Sequence, residues 1–189
     1  MIHRRASQGD TIVEMVLAFA IFSLAAVGTM TIINNGVATT QRNLETTLVR
    51  EQIDTQAELI RYIRDTKSPA WQTLISGAIN NPLPLNESCQ QVASISQGFY
   101  IKPVIDSANP ANTTFTRQSV TSATYATPAT YAKIDYAGGA VQSQGIWIQA
   151  TKAQQNGAVT AYDFYIHACW DSVGIHIPMT LGTIVRIYD

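Results

Sequence analysis

The chain has 189 residues, of which 46% are apolar and 13% are charged, and its formal net charge at pH 7 is −1. The length suits one ordinary domain plus a membrane segment, and the charged share is about half of the usual value. The near-neutral balance argues against nucleic acid as a direct partner. The sequence has no CxxC pair, no HExxH motif and no Cys/His cluster, so we expect no metal and no cofactor.

A run of 22 apolar or small residues, 12–33, contains a single charge, that of Glu14. A helix of this length rises about 33 Å, which is enough to cross a hydrocarbon layer of about 30 Å. His3, Arg4 and Arg5 precede the run, and basic residues beside a first apolar segment favour a cytoplasmic N-terminus. The run is longer than the roughly 7–15 apolar residues of a signal peptide. We therefore expect a single-pass membrane protein with an exported C-terminal domain.

A second helical pattern, residues 37–67, follows a weak point at residues 34–36, where Asn and Gly are poor helix formers. Oppositely charged residues such as Arg42 and Glu45 lie three or four positions apart on its polar side. Pro69 is expected to end the helix, because the residue before a proline avoids helical geometry. The apolar stripe consists of Leu44, Leu48, Val49, Ile53, Ala57, Ile60 and Ile63. A lone helix must bury such a stripe, so we expect a folded domain against it.

The remainder, residues 68–189, predicts an exported, β-rich globular domain. Residues 70–79 predict a short helix, and alternating apolar residues predict strands at 99–105, 145–152, 159–168 and 181–188. Pro103 places the first of these strands at a sheet edge, because proline cannot donate a ladder hydrogen bond. Asn156 and Gly157 predict a hairpin turn. The expected fold class is α+β: a long N-terminal helix packed against a C-terminal antiparallel sheet.

Residues 106–130 are rich in Ser, Thr, Ala and Asn and predict an exposed loop with one short strand. Asn112 and Asn86 each begin a triplet that matches the glycan acceptor pattern, although a plain solvated loop is the more common outcome. Cys89 and Cys169 both lie in the part expected to be exported, which favours a disulfide between them over two buried thiols.

Histidine and aspartate residues occur near one another in the C-terminal part of the sequence. His167 and His176 lie close in sequence to Asp163 and Asp171, but no GxSxG, P-loop or GxGxxG motif accompanies them. We therefore expect no catalytic residues and a protein that is not an enzyme. The aromatic residues Trp147, Tyr162, Phe164 and Tyr165 are expected to form core and cross-strand pairs.

The N-terminal pattern is a short basic leader that ends in Gly9, then Asp10, an apolar segment, and Glu14 at the fifth position after the glycine. This pattern resembles the type IV pilin and pseudopilin family, with a class III-type cleavage and methylation motif. The resemblance covers about 25 residues, and the rest of the chain is similar in architecture alone.

The resemblance implies that residues 1–9 are a leader and that a prepilin peptidase cleaves between Gly9 and Asp10 on the cytoplasmic side. In this family the new amine can also be methylated. The resemblance further implies that a pilus assembly platform in the membrane extracts the subunits, and that residues 10–36 stack with other pilin or pseudopilin subunits in a cell-surface filament. Glu14 would then pair with the Asp10 amine of a neighbouring subunit, which removes two unpaired charges and fixes the stagger.

Three features depart from the family pattern. Asp10 is a carboxylate where the family usually has an aromatic or apolar residue, and the apolar segment lacks the proline that is common in major pilins. Residues 181–188 follow Cys169, so the cysteines do not bracket the chain end. These departures favour a minor pilin or pseudopilin as readily as a major pilin. The alternative function is a membrane-anchored exported binding module on an uncleaved signal anchor, with residues 106–130 or a sheet face holding a ligand.

Overall fold

The computed structural model describes residues 10–66, 68–80, 89, 95, 97–109, 112–136, 141–155 and 158–188. The chain divides into two units between Gln41 and Arg42. The fold is α+β: the second part of one long N-terminal helix packs against a C-terminal antiparallel sheet. The predicted fold class is therefore confirmed.

The first unit is helical throughout its described residues and forms the beginning of α1 (Asp10–Asp65). The predicted weak point at residues 34–36 is helical as well. The hydroxyls of Thr39 and Thr40 donate to the carbonyls of Asn35 and Gly36 there, at 2.9 Å each. The segment is therefore helical although Asn and Gly have low helix propensity, and two threonine hydroxyls hydrogen-bond to its carbonyl groups.

The second unit contains the end of α1, the short helix α2 (Ala70–Ile75) and eight strands. The strands are β1 (Phe99–Val104), β2 (Thr114–Ser119), β3 (Tyr125–Ala126), β4 (Lys133–Asp135), β5 (Gln142–Gln144), β6 (Ile146–Gln155), β7 (Ala158–Trp170) and β8 (Met179–Tyr188). The main sheet is antiparallel with the order β2-β1-β6-β7-β8, and a small sheet has the order β3-β5-β4. Strands β6 and β7 pair as predicted, while Asn156 and Gly157, the predicted turn, lie outside the described residues.

Strand β1 is not at the sheet edge, which corrects the prediction from Pro103. β1 pairs with β2 along its whole length, and its other neighbour is β6. Its register with β6 contains one pair, Phe99 with Ile148, so Pro103 lies beyond that ladder and costs it no hydrogen bond. The predicted loop 106–130 contains two strands, β2 and β3, rather than one.

The core lies between α1 and one face of the main sheet. Alternate residues of β7 point toward the helix, namely Tyr162, Phe164, Ile166, Ala168 and Trp170. They meet the helix stripe Val49, Ile53, Ala57, Ile60 and Ile63, all of which are buried. The predicted stripe is wrong at its start: Leu44 is 58% exposed, whereas Glu45, assigned to the polar side, is buried. The reason is that Trp170 at the end of β7 and Ser172 just after it donate hydrogen bonds to the Glu45 carboxylate.

Two glutamines on the buried side of α1 bind the backbone of other elements. The Gln56 amide donates to the Ile101 carbonyl at 3.1 Å, and its side-chain oxygen accepts from the Ile101 N–H at 2.9 Å. Gln52 accepts from the N–H of Ile134 at 3.2 Å. Since β1 and β6 share a single register pair, the Gln56 amide supplies at Ile101 both bonds that a neighbouring strand would otherwise make.

Replacing Gln56 by Leu should destabilise the protein by about 2–4 kcal/mol, because two buried backbone groups of Ile101 lose their partners. Chemical denaturation of the full chain in detergent micelles measures this loss. Gln72→Leu is the matched control, since Gln72 is exposed on α2 and its replacement should change stability by less than about 0.5 kcal/mol. Equal stability of the Gln56→Leu variant and the wild type would contradict the assigned role.

Candidate functional site

The apolar part of α1 presents an uncovered surface in a single chain. One described helix is long and apolar enough to cross a membrane, with a mean hydropathy of 2.3 over its most apolar 18-residue window and none of that window buried. Large apolar side chains point outward all around it, as Phe22 at 71% and Leu24 at 75% exposure illustrate. A helix that is apolar on every side needs lipid or other helices around it.

Polar side chains within this apolar part satisfy their donors locally. The hydroxyls of Ser23, Thr29 and Thr31 each donate to the carbonyl four residues earlier, at 2.7, 2.8 and 3.0 Å. Such back-bonding lets a hydroxyl enter hydrocarbon without a bare donor. Glu14 has no such option, because an ionised carboxylate only accepts hydrogen bonds. Glu14 is exposed, and within the described residues the structure shows no hydrogen bond or ion pair to it.

Glu14 lies one helical turn after Asp10, which is the first residue of α1. Gly9, the predicted cleavage position, lies outside the described residues, as does the side chain of Asp10. The four-residue separation places the backbone start of α1 and the Glu14 carboxylate within about 6 Å of each other along the helix axis. The Glu14 carboxylate therefore lies one helical turn from the residue that the predicted cleavage would leave at the N-terminus.

The two cysteines form one disulfide in the second unit. Cys89 and Cys169 are bonded, with their Cα atoms 5.3 Å apart and 80 residues between them in sequence. Cys169 lies on the sheet face opposite α1, in a buried cluster with Ile95, Tyr125 and Trp147. Closing a loop of this length stabilises a fold by about 4–5 kcal/mol in the chain-entropy model. The disulfide thus fixes residue 89 to the outer face of β7.

A buried carboxylate where α1 enters the second unit was not predicted as a site residue. Glu45 is 6% exposed, and its Oε2 accepts from the indole N–H of Trp170 at 3.1 Å and from the Ser172 hydroxyl at 2.6 Å. The guanidinium of Arg42 donates to the carbonyl of Gly174 at 3.4 Å. The signal in the sequence was spacing: Glu45 precedes Val49 by four residues and so continues the buried stripe.

Among the described residues of the C-terminal part, the structure does not bring His and Asp together as catalytic pairs. Asp163 receives two hydrogen bonds from Arg186, each 2.6 Å long, which hold the pKa of its carboxyl below the usual value. His176 is exposed. The described residues contain no cluster of His, Cys, Asp and Glu that could hold a metal ion.

His167 lies between aromatic rings on the outer face of the sheet. Its ring centroid is 5.3 Å from that of Trp147 and 6.3 Å from that of Tyr165. It is 8% exposed, and within the described part of the chain neither ring nitrogen has a hydrogen-bond partner. Burial lowers the pKa of the imidazole from about 6.5 to about 4. This burial was not predictable from the sequence, which does not show which face of β7 is covered.

No family model, curated protein or solved structure matches the chain. What the chain does is therefore inferred from its own residues. The features with chemical consequences are the uncovered apolar surface of α1 and the carboxylate of Glu14 within it.

Acidification should destabilise the protein through His167. The unfolded imidazole binds a proton below pH 6.5 while the folded one stays neutral down to about pH 4, so stability falls by about 3 kcal/mol across that interval. The contribution of Asp163 is lost only below its usual pKa of 3.8 and lies outside the interval. Denaturation at several pH values should show a smaller slope for His167→Phe than for the wild type.

His176→Gln is the control for this pH experiment, because His176 is exposed. Its replacement should leave the dependence of stability on pH unchanged. A slope that persists in His167→Phe would assign the effect to another group.

Proposed function

We propose that the chain is a structural subunit of a type IV pilus-like filament, of the minor pilin or pseudopilin class as readily as the major pilin class. A prepilin peptidase processes it between Gly9 and Asp10, and it assembles with other pilin or pseudopilin subunits through its N-terminal helix. The observation that carries the proposal is the exposed Glu14 carboxylate on an apolar helix surface that nothing else in the described chain covers.

An apolar bundle of such helices would make an unpaired carboxylate costly, by several kcal/mol. Cleavage after Gly9 creates an ammonium group at Asp10, which is a donor without an acceptor in the same bundle. Pairing the amine of one subunit with Glu14 of the next removes both costs. Because the pair forms at one axial offset only, it also fixes the stagger between subunits, as a single buried polar group fixes register in a coiled coil.

Removal of the leader would also favour packing of the N-terminal helices in the bundle. Residues 1–9 include Arg4 and Arg5, whose charges would otherwise enter the bundle beside every Glu14. Before assembly these residues favour a cytoplasmic N-terminus and an exported second unit. The disulfide supports this orientation, since such bonds persist in oxidising compartments. The assembly platform then transfers the subunit from the bilayer to the cell-surface filament.

Replacing Gly9 by Leu should leave the precursor uncut, because a bulky side chain would occupy the position that the peptidase accepts as glycine. Mass spectrometry of the membrane-associated protein distinguishes the full chain from one that begins at Asp10. Gly28→Leu is the control: a side chain at Gly28 meets nothing within 4 Å, so processing should be unchanged. A wild-type chain that retains Met1 in the presence of a prepilin peptidase would refute the proposal.

Replacing Glu14 by Ala or Gln should leave the protein in the membrane and correctly cleaved, but should reduce its incorporation into filaments at least about tenfold, the effect of 1.4 kcal/mol per contact. Co-sedimentation with sheared surface fibres measures incorporation. Ser23→Ala is the matched control, since the Ser23 hydroxyl is satisfied within its own helix. Unchanged incorporation of the Glu14 variants would remove the pairing argument and favour an anchored binding module.

A further inference from the structure

The last strand of the main sheet, β8, has one neighbour among the described strands. It pairs with β7 from Met179 to Tyr188, and no described strand lies on its other side. Alternate backbone N–H and C=O groups of an edge strand point away from its neighbour and remain available to another strand. β8 therefore presents a backbone edge that is ten residues long.

The edge of β8 lacks the features by which proteins usually prevent strand pairing, which are short length, proline, free charges, bulges or a covering element. β8 has ten residues, contains no proline, and keeps one register with β7 throughout. Its single charge is that of Arg186, which donates two hydrogen bonds of 2.6 Å to Asp163 on the neighbouring strand. The strand thus carries no proline, bulge or free charge that would oppose a partner strand.

The opposite edge of the main sheet, β2, is less open to pairing. It has six residues, with Arg117 among them. The Arg117 guanidinium lies 4.6 Å from the centroid of the Phe99 ring, and a side chain at Gly77 would come within 2.6 Å of its Nη2. The segment after α2 therefore packs on β2, and of the two edges β8 is the longer and the less charged.

Side chains of β8 alternate between the two faces of the sheet. Those opposite the helix-facing residues of β7 belong to the core or pack on it, namely Leu181, Val185 and Ile187. Those on the outer face are Thr180, Gly182, Ile184, Arg186 and Tyr188. On this outer face Ile184 is 58% exposed and Tyr188 is 69% exposed. Uncovered apolar area thus accompanies the unpaired backbone of β8.

A second copy of β8 fits this edge in an antiparallel register centred on Ile184. When two copies of one strand pair about a two-fold axis perpendicular to the sheet, the residue on the axis lies opposite its equivalent. Residues equally far before and after the axis then lie opposite each other. Arg186 is therefore opposite Gly182 of the second copy, and Tyr188 is opposite Thr180. Each large side chain meets a small one, and the two arginines are never opposite each other.

Neighbouring registers fit less well. An axis at Thr183 places Ile184 opposite Gly182, which leaves the isoleucine uncovered. An axis at Val185 places Ile184 opposite Arg186 and shortens the paired length. With the axis at Ile184, the exposed isoleucines cover each other, and Gly182 has no side chain that would displace Arg186 from Asp163.

We propose that β8 pairs with β8 of a second copy of this chain, antiparallel and about a two-fold axis at Ile184. The two five-stranded sheets then form one continuous sheet. A two-fold contact is closed, so it joins two chains and does not itself extend a filament. The pairing requires neither leader cleavage nor the Glu14 contact, so a failure of the Gly9 or Glu14 experiments leaves it standing.

Cysteine cross-linking of the full chain in phosphatidylcholine vesicles tests the register. Both native cysteines are in the disulfide, so an introduced thiol is the one free thiol of each chain. In the proposed pair the two residues 184 have Cβ atoms about 5 Å apart, whereas the two residues 188 are about 27 Å apart. On mild oxidation Ile184→Cys should form a covalent dimer, and Tyr188→Cys, the exposed control on the same face, should form several-fold less.

Equal dimer yields from the two cysteine variants would indicate random collision and would overturn the proposal. Absence of a dimer from Ile184→Cys would overturn it as well, because the proposed register brings these two thiols together.

A charge at the axis tests the pairing without oxidation. Ile184→Lys places two ammonium groups opposite each other, which disfavours pairing. Thr180→Lys is the matched control, since it adds the same charge on the same face of β8 but opposite residue 188. Donor and acceptor dyes on Tyr188→Cys report the association, because about 27 Å is short enough for efficient energy transfer.

We expect energy transfer between copies to be lost when Ile184→Lys is added and to be kept with Thr180→Lys. Transfer that survives Ile184→Lys would show association through another surface, such as the apolar part of α1, and would refute the pairing of β8.

Discussion

The hydrogen bonds to the Glu45 carboxylate determine where the globular unit begins on α1. A buried carboxylate costs several kcal/mol unless it is hydrogen-bonded, and here Trp170 and Ser172 both donate to it. Eleven residues later, about three turns along, Gln56 binds both backbone groups of Ile101. Two specific polar contacts on one helix face fix the rotation of α1 on the sheet and its position along it. Apolar contacts alone, being non-directional, would resist a shift of one turn less strongly.

The sequence predicted the architecture because periodicity is local. The apolar run, the helical stripe ending before Pro69 and the strands corresponding to β6, β7 and β8 all follow from spacing within one segment. Two features that depend on distant partners were not predicted. Glu45 was assigned to the polar side of the helix because its burial depends on a hydrogen bond from Trp170, 125 residues away. The interior position of β1 depends on its pairing with β2, and the composition of residues 106–130 did not indicate that strand. At the N-terminal site, Glu14 was identified from its contrast with the apolar residues around it. Its partner, the Asp10 amine of a neighbouring subunit, stays a prediction, because a second chain would supply it.

The apolar part of α1 contains two kinds of polar group with opposite consequences. Serine and threonine hydroxyls can donate a hydrogen bond to a carbonyl of the same helix and are then compatible with lipid or with another helix. A carboxylate has no such internal solution, and near the edge of a bilayer it can still reach water or headgroups. Moving the helix from lipid into a protein bundle would remove this access to water and headgroups. In the proposed filament, the Glu14 carboxylate would therefore need a hydrogen-bond donor from another chain, whereas at the edge of a bilayer it would not.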